Sequence, residues 1–387
     1  MKNPQSTYFL YGYYGAGNFG DDILLSAAIE NIIARDSSAR FLIRNHGPID
    51  SLSAYGDRVT LTDIEKIHQS SGGDLSKFFK LLTAYWTWMG RASHLIVGGG
   101  TLIHDVPYLK STFLLVCLAV IARLRGKKVF GIGLGTKIIK TALGKLIVRI
   151  LIACFHRLCL RDEDSYARCL ALAPSAKNIV LTSDLAYALD WNSASGNVAD
   201  KHVIALTLVD YMFEDGRNVE LPGVLSVTLT DYARNGHEVR LIAFQRGEKG
   251  DARVLQQVLN KMPYDLRETK CSLIMAEPTE AGMVAAYKGV SLMVGMRFHA
   301  LVFAAMNGIS FVGLAHEPKI DAIAKEFGMP ALKLHNASPP ALTTAMTKAM
   351  GQMIDRMQLS NDQNLARDNF AFIATVGQDF KDNHESP

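Results

Sequence analysis

The sequence predicts an α/β protein with two similar halves, each a parallel sheet covered by helices on both faces. Three observations lead there. Short apolar runs bounded by glycines alternate with helical segments from Thr7 to about Lys288. The polar stretch Asp190-Trp191-Asn192-Ser193-Ala194-Ser195-Gly196-Asn197 interrupts this alternation, which restarts at Val203. The 387 residues exceed one typical domain and suit two of roughly 150–200. The expected architecture is two Rossmann-like domains facing a cleft, residues 1–192 and 200–350, followed by a C-terminal helix and polar tail over 351–387.

In the first half, Thr7–Tyr13 reads as a strand, followed by a glycine-rich turn and a helix from about Asp22 to Arg35. Arg40–Arg44 is a short strand, and Asp74–Ala92 is a helix carrying Tyr85, Trp86 and Trp88. His94–Val97 is a strand ending in Gly98-Gly99-Gly100, followed by a helix to Arg125 and the strand Lys128–Ile132. A basic amphipathic helix and the strand Leu158–Leu160 complete the half. The second half repeats the scheme: strands Val203–Leu208 and Glu238–Phe244 and one near Ser272–Met275, with helices near Pro222–Asn235, to about Lys261 and to about Lys288. Runs this uniformly apolar are strands buried on both faces, which is how parallel sheets are built.

With 49% hydrophobic and 20% charged residues, the chain can bury two ordinary cores, which excludes global disorder. Cys117, Cys154, Cys159, Cys169 and Cys271 form no C-x-x-C pair and read as reduced core residues, with no metal site. Residues 1–8 lack the charged-then-apolar pattern of a signal peptide. The longest apolar run, Phe113 to Ala122, falls well short of the ~20 residues that span a bilayer. The expected location is the cytoplasm, peripherally at the inner face of the plasma membrane if membrane-associated at all.

Net charge is +4, but eleven basic residues and no acidic one lie between Val106 and Arg161. At roughly 100° per residue, Lys137, Lys145, Arg149 and His156 fall on one side of a helix, with Ile139, Leu143, Leu146, Ile147, Ile150 and Leu158 on the other. Val148 and Ile152 break the basic face. A surface helix packed on a sheet accounts for this pattern, and so does a helix lying near anionic lipid. Nucleic acid is not expected, because aromatics are not interleaved with the charges.

Gly15-Ala16-Gly17-Asn18-Phe19-Gly20 matches G-x-G-x-x-G between a strand and a helix, which alone suggests a dinucleotide site. Against it, Asp21 and Asp22 put negative charge where a pyrophosphate would bind, and the next strand ends Ile43-Arg44-Asn45 without a ribose-binding acid. Gly98-Gly99-Gly100-Thr101 and Gly131-Ile132-Gly133-Leu134-Gly135 also follow strands, so three glycine segments gather at one sheet edge. Arg161 ends an apolar strand, and Asp162-Glu163-Asp164 begin a helix at capping positions. The last motif, Ser291 to Ala300, runs from a strand into a helix with Arg297 and His299 at its start. There the helix N-terminus and guanidinium favour an anion, and the imidazole can transfer a proton.

Together these segments resemble the polysaccharide pyruvyl transferase family. The resemblance rests on Gly12-Tyr13-Tyr14-Gly15-Ala16-Gly17-Asn18-Phe19-Gly20-Asp21-Asp22, Gly98-Gly99-Gly100-Thr101-Leu102 and Arg161-Asp162 with Ser165. It continues through Asp184-Leu185-Ala186-Tyr187, Met296-Arg297-Phe298-His299-Ala300 and Gly308 through Pro318-Lys319. Departures are the loop Gly131–Thr136, which lacks an expected glutamine and proline, and His316, where the family usually has tyrosine.

The resemblance implies a fold like that of two-domain B-type glycosyltransferases. It also implies transfer of pyruvate from phosphoenolpyruvate to two hydroxyls of a sugar, giving a cyclic ketal. On that basis His299 and Asp21 are the catalytic candidates. Arg297, Arg161, Phe298 and Lys319 are candidates for donor binding. Asn18, Gly17, Gly99, Gly100, Thr101 and His316 would line the acceptor side or cleft. The partners implied are phosphoenolpyruvate, a sugar or lipid-linked oligosaccharide and, through residues 106–161, a membrane surface. No cofactor beyond the co-substrate is required. The competing expectations are a nucleotide-sugar-dependent glycosyltransferase of the same fold and a non-catalytic glycan- or membrane-binding relative.

Overall fold

The computed structural model describes residues 6–69, 73–106, 109–191, 202–211, 220–247 and 250–373. Most of the polar stretch at 190–197 and the end of the tail lie outside the described residues. The chain forms two compact units, one of Met1–Ala16, Asp21–Leu189 and Asp362–Pro387, the other of Gly17–Gly20 and Asp190–Asn361.

Up to residue 189 the chain runs β1 (Thr7–Tyr11), α1 (Phe19–Arg35), β2 (Arg40–Ile43), a 3-10 segment, β3 (Val59–Leu61), α2 (Ile64–Gln69), α3 (Asp74–Arg91), β4 (His94–Ile103) and α4 (Leu109–Leu124). It continues through β5 (Lys128–Thr136), α5 (Ala142–Cys154), β6 (Arg157–Leu160), α6 (Glu163–Leu172) and β7 (Ile179–Leu181). The strands form a seven-stranded sheet in the order β3-β2-β1-β4-β5-β6-β7, and every pairing is parallel. Strand order reverses between β1 and β4, the switch point beside whose carboxyl ends open α/β sheets hold ligands.

The glycine segments differ from the sequence expectation. Gly98–Gly100 and Gly131–Gly135 lie inside β4 and β5, with Gly98 opposite Ile132 and Gly100 opposite Leu134, so these strands outrun their apolar cores. At Gly99, φ is +70° and a Cβ would come 2.7 Å from Cβ of Leu24, so α1 packs on this strand only because the position carries no side chain.

The second unit contains β8 (Val203–Thr207), α7 (Leu221–Arg234), β9 (Glu238–Ala243), α8 (Asp251–Asn260), α9 (Tyr264–Lys270), β10 (Cys271–Met275), α10 (Glu280–Tyr287) and β11 (Val290–Gly295). Then come α11 (Phe298–Met306), β12 (Ser310–Ala315), α12 (Pro318–Glu326), β13 (Ala331–Lys333) and α13 (Pro339–Met350). Its parallel sheet has the order β10-β9-β8-β11-β12-β13 and reverses between β8 and β11. Arg297 therefore follows the strand at the second switch point.

The last helix, α14 (Arg356–Asp368), leads the chain back into the first unit. Asn369 is fully buried there: its Oδ1 accepts from Gly133 N (2.7 Å) and Thr182 Oγ1 (3.1 Å), and its Nδ2 donates to Ser183 O (3.2 Å). The Phe372 ring stacks on Phe130 with centroids 4.1 Å apart. Residues 362–373 thus complete a core that begins more than two hundred residues earlier.

The buried face of α5 is also not the one the helical wheel selects. Ile147, Val148, Leu151 and Ile152 face the core, while Leu143, Leu146 and Ile150 stand in solvent beside Lys145 and Arg149. Wedged between α4 and α6, the helix must bury the arc centred on Val148 and Leu151, and the wheel's apolar centre lies to one side of it.

Candidate active site

In the second unit, the residue after β11, Met296, still donates its N–H to Thr207 O (3.0 Å). Arg297 then leaves the sheet in extended conformation (φ −87°, ψ 121°) as the N-cap of α11. The helix is anchored by the buried run Ala300–Ala305, so Arg297, Phe298 and His299 stay half-buried at the sheet's carboxyl edge.

The Arg297 fork is closed on a carboxylate. Its Nε lies 3.0 Å from Asp251 Oδ2 and its Nη2 2.5 Å from Asp251 Oδ1, with Gln245 Oε1 3.3 Å from Nη2. Asp251 opens α8, and its Oδ2 also accepts from Phe244 N (2.9 Å) and Gln245 N (3.0 Å). The Asp251 side chain is only 2% exposed, so its charge is compensated by the guanidinium and two backbone dipoles, not by water.

The second half of the glycine loop is built onto this cluster. Arg246 N donates to Gly17 O (3.0 Å), Asn18 forms an antiparallel bridge with Gln245, and Phe19 N donates to Phe244 O (3.1 Å). The Phe19 ring packs edge-on against Phe244, centroids 4.8 Å apart. A Cβ on Gly20 would lie 2.2 Å from Nδ1 of His299, so the backbone lies directly against the imidazole. Gly17, Asn18, Arg297, Phe298 and His299 are thereby brought together in one unit from opposite ends of the sequence.

The neighbouring strand β12 delivers His316 and Lys319. Glu317 pairs with both, 3.0 Å from His316 Nε2 and 2.9 Å from Lys319 Nζ. Burial pushes the Glu317 carboxyl up, but the His316 and Lys319 partners outweigh it and hold the group at about 2. A cavity of about 230 Å³ opens beside them, lined by Tyr211, His316, Glu317, Pro318, Lys333 and His335 at the start of α12.

In the first unit, Arg161 reaches across the ends of β4 to β7. Its Nη1 donates to Asp184 Oδ2 (3.0 Å) and its Nη2 to Thr101 Oγ1 (3.2 Å), with the two charged side chains 9% and 3% exposed. Asp184 also caps the following turn by accepting from Ala186 N (3.0 Å). The Arg161 guanidinium, a donor-binding candidate on the sequence, is thus engaged by Asp184 and Thr101. Asp22 Oδ1 accepts from Gly15 N (2.7 Å), fixing the loop's entry, and a Cβ on Gly100 would lie 3.0 Å from Oδ1 of Asp21. Asp21, Gly99, Gly100, Thr101 and Arg161 therefore sit at the carboxyl edge of the first sheet.

Sequence reading missed Asp251, Gln245, Tyr211, Lys333 and His335. The signal for the first two was present: Gln245 follows β9 and Asp251 begins α8, the same strand-exit arrangement that marked Arg297. Among the described residues, no group of three or more His, Cys, Asp or Glu is placed to hold a metal ion. All five cysteines are free, and no described helix is long and apolar enough to cross a membrane.

A family model described as polysaccharide pyruvyl transferase matches residues 18–318, more than half of the chain. No curated protein matches the chain in sequence. Among solved structures, the UDP-GlcNAc 2-epimerase of Methanocaldococcus jannaschii is similar at TM-score 0.64 and 11% identity, covering 96% of this chain and 99% of that one. The UDP-GlcNAc 2-epimerase of Neisseria meningitidis bound to UDP-GlcNAc gives 0.58 and 10%, covering 95% and 99%. Alr3699/HepE of Anabaena in complex with UDP and glucose gives 0.57 and 12%, covering 99% and 100%. At such identities these likenesses show the fold alone, that of two-domain, GT-B-like sugar enzymes.

Proposed function

The chain belongs to the polysaccharide pyruvyl transferase family, and on that premise we propose that it transfers a pyruvyl group from phosphoenolpyruvate to two hydroxyls of a sugar, closing a cyclic ketal. The acceptor is a polysaccharide unit or its lipid-linked precursor, met at the cytoplasmic face of a membrane. The observation that carries this reading is the approach of Gly20 to His299. It joins the family's first motif segment to the Met296–Ala300 segment around a group able to transfer protons.

In the reaction, the CH₂ carbon of the enol takes a proton and becomes a methyl group, leaving an oxocarbenium-like centre at C2. One sugar hydroxyl adds there, the C2–O bond to phosphate breaks, and the neighbouring hydroxyl closes the ring. Of the two hydroxyl protons released, one balances the methyl group and the other leaves with phosphate. His299 serves as the acid and base for these transfers, and Asp21 orients the acceptor. The cations at the carboxyl ends of β11, β12 and β13, Arg297, Lys319 and Lys333, with the His316 imidazole beside them, suit a donor that carries both a phosphate and a carboxylate. Nothing in these steps calls for a further cofactor.

The test is incubation with phosphoenolpyruvate and a panel of aryl glycosides, reading phosphate release and a sugar mass gain equal to pyruvic acid less one water. His299→Ala is expected to lose about 10²–10⁴ in rate with the fold intact. Turnover of a UDP- or GDP-sugar in place of phosphoenolpyruvate would overturn the reading, as would wild-type rates in His299→Ala.

A further inference from the structure

The segment from Lys137 to Ile150 exposes more apolar surface than a helix packed on a sheet needs to show. Ile138 is 63% exposed, Leu143 58%, Leu146 53% and Ile150 42%. Lys137, Lys140, Lys145 and Arg149 are all exposed with them. At roughly 100° per residue, Lys145 and Arg149 form one edge of the outward arc of α5 and Leu146, Ile150 and Leu143 the other. No acidic residue occurs between Val106 and Arg161, and Arg149 Nε donates to Leu172 O (2.9 Å).

The ridge is held in place from beneath. Asp105, buried under it, accepts from the N–H groups of Lys140 and Thr141 (2.7 Å each), and Thr141 Oγ1 caps the helix by accepting from Gly144 N (2.9 Å). Burial raises the Asp105 carboxyl, but these backbone donors lower it further, so it stays ionised and keeps the turn closed. Exposure of Ile138 and Leu143 is thus a fixed property of the turn. Further along the same layer of helices, Leu75 and Phe79 of α3 and Phe113 of α4 are also exposed, at 70%, 58% and 41%. α3 leads into β4, and α4 and α5 follow β4 and β5, so the starts of these helices, with Leu75, Phe79 and Phe113, lie toward the carboxyl edge of the sheet, where Thr101 and Arg161 also lie.

We propose that the α5 ridge, Ile138, Leu143, Leu146 and Ile150 with Lys137, Lys140, Lys145 and Arg149, docks on the surface of an anionic phospholipid bilayer. Aliphatic side chains beside four exposed cations match the acyl boundary and the phosphate layer of such a leaflet. A second copy of the chain is a poorer occupant, because a two-fold contact through this face would oppose four cations to four. Single-stranded nucleic acid is poorer too, because the ridge offers aliphatic side chains in place of aromatic stacking platforms. The proposal deepens the reading of a lipid-linked acceptor, yet it stands on this surface alone and is tested without sugar or donor.

The experiment is co-sedimentation of the full chain with vesicles of phosphatidylcholine alone and with roughly a quarter phosphatidylglycerol. Binding to the anionic vesicles is expected to exceed binding to neutral ones by about tenfold or more and to weaken with added salt. Lys145→Gln with Arg149→Gln is expected to cost on the order of tenfold, and Leu146→Glu a comparable factor. These side chains are solvent-exposed, so circular dichroism and donor turnover on a soluble aryl glycoside stay as in the wild type. Equal binding to both vesicle types, or wild-type binding by Leu146→Glu, overturns the proposal. So does a concentration-dependent dimer in solution that Leu146→Glu abolishes, since the face would then belong to a second copy. Failure of the turnover assay with vesicle binding intact would remove the pyruvyl reading and leave this one standing.

Discussion

Gly20 and His299 meet so closely that a methyl group on Gly20 would lie 2.2 Å from Nδ1 of the imidazole. Gly20 sits at the start of α1 with an ordinary backbone conformation, where alanine would normally be favoured over glycine by about 1 kcal/mol. What forbids a side chain is the ring itself. Gly20→Ala must therefore displace either the imidazole or the Asn18–Gln245 bridge that presents the loop. The expected outcome is a fall of about 10² in kcat with the melting temperature changed by only a few degrees. Steady-state kinetics beside a thermal melt checks this, and an unchanged kcat would show that His299 need not stand there.

Arg297 and Asp251 make a second pair with a separable prediction. If the guanidinium only braces the β9–α8 turn, Arg297→Lys shifts stability and leaves the KM for phosphoenolpyruvate alone. If it also meets the donor, a point charge in place of the fork raises that KM by about tenfold. Asp251→Asn removes the buried charge that orients the fork and is expected to cost about 2–3 kcal/mol in urea denaturation. That figure sits below the cost of breaking a fully buried pair because Arg297 keeps 21% of its side chain in solvent.

Arg161 and Asp184 are buried more deeply, and the expected cost is larger. Asp184→Ala leaves the buried Arg161 charge with only the more distant Asp162 carboxylate, 3.6 Å from Nε, and removes the cap on the turn that follows, for a loss of roughly 3–5 kcal/mol. Replacing both residues by leucine and methionine should recover much of it, since neither charge is then left without its partner. A double-mutant cycle in urea measures the coupling. Independent, additive losses would mean that the two side chains do not act as a pair.

The alternation of strands and helices was legible because parallel strands buried on both faces are apolar throughout, as in Leu95–Val97 and Leu292–Val294. The approximate place of Arg297 and His299 was legible for the same reason: a strand that ends in Gly295 and restarts as an apolar helix exposes whatever lies between. What sequence could not give was partnership. Nothing near Arg297 in the chain announces Asp251, forty-six residues earlier. Nothing in the polar end of the chain announces that Asn369 bonds to Gly133. The wheel misassigned α5 because periodicity reports the apolar arc, whereas burial is decided by which neighbours, here α4 and α6, close around it.

His94 gives the stability of the first unit a pH dependence whose sign can be worked out. The ring opens β4, stacks on Tyr8 with centroids 5.2 Å apart, and is pushed down from 6.5 to about 4 by burial and by the charges of Lys128 and Lys127. The folded unit thus keeps His94 neutral in a range where the unfolded chain protonates it. Its contribution is complete above pH 6.5, is lost as pH falls from 6.5 to about 4, and changes no further below that. The difference between the two proton affinities corresponds to roughly 3 kcal/mol over this window. His94→Phe preserves an aromatic ring in the stack and removes the proton-binding group. Between neutral pH and the bottom of the window, the unfolding free energy in urea should therefore fall further in the wild type than in the variant, by about 3 kcal/mol. Parallel pH profiles for the two proteins would mean that the unfolded and folded chains bind this proton equally, and the buried neutral imidazole would have to be abandoned.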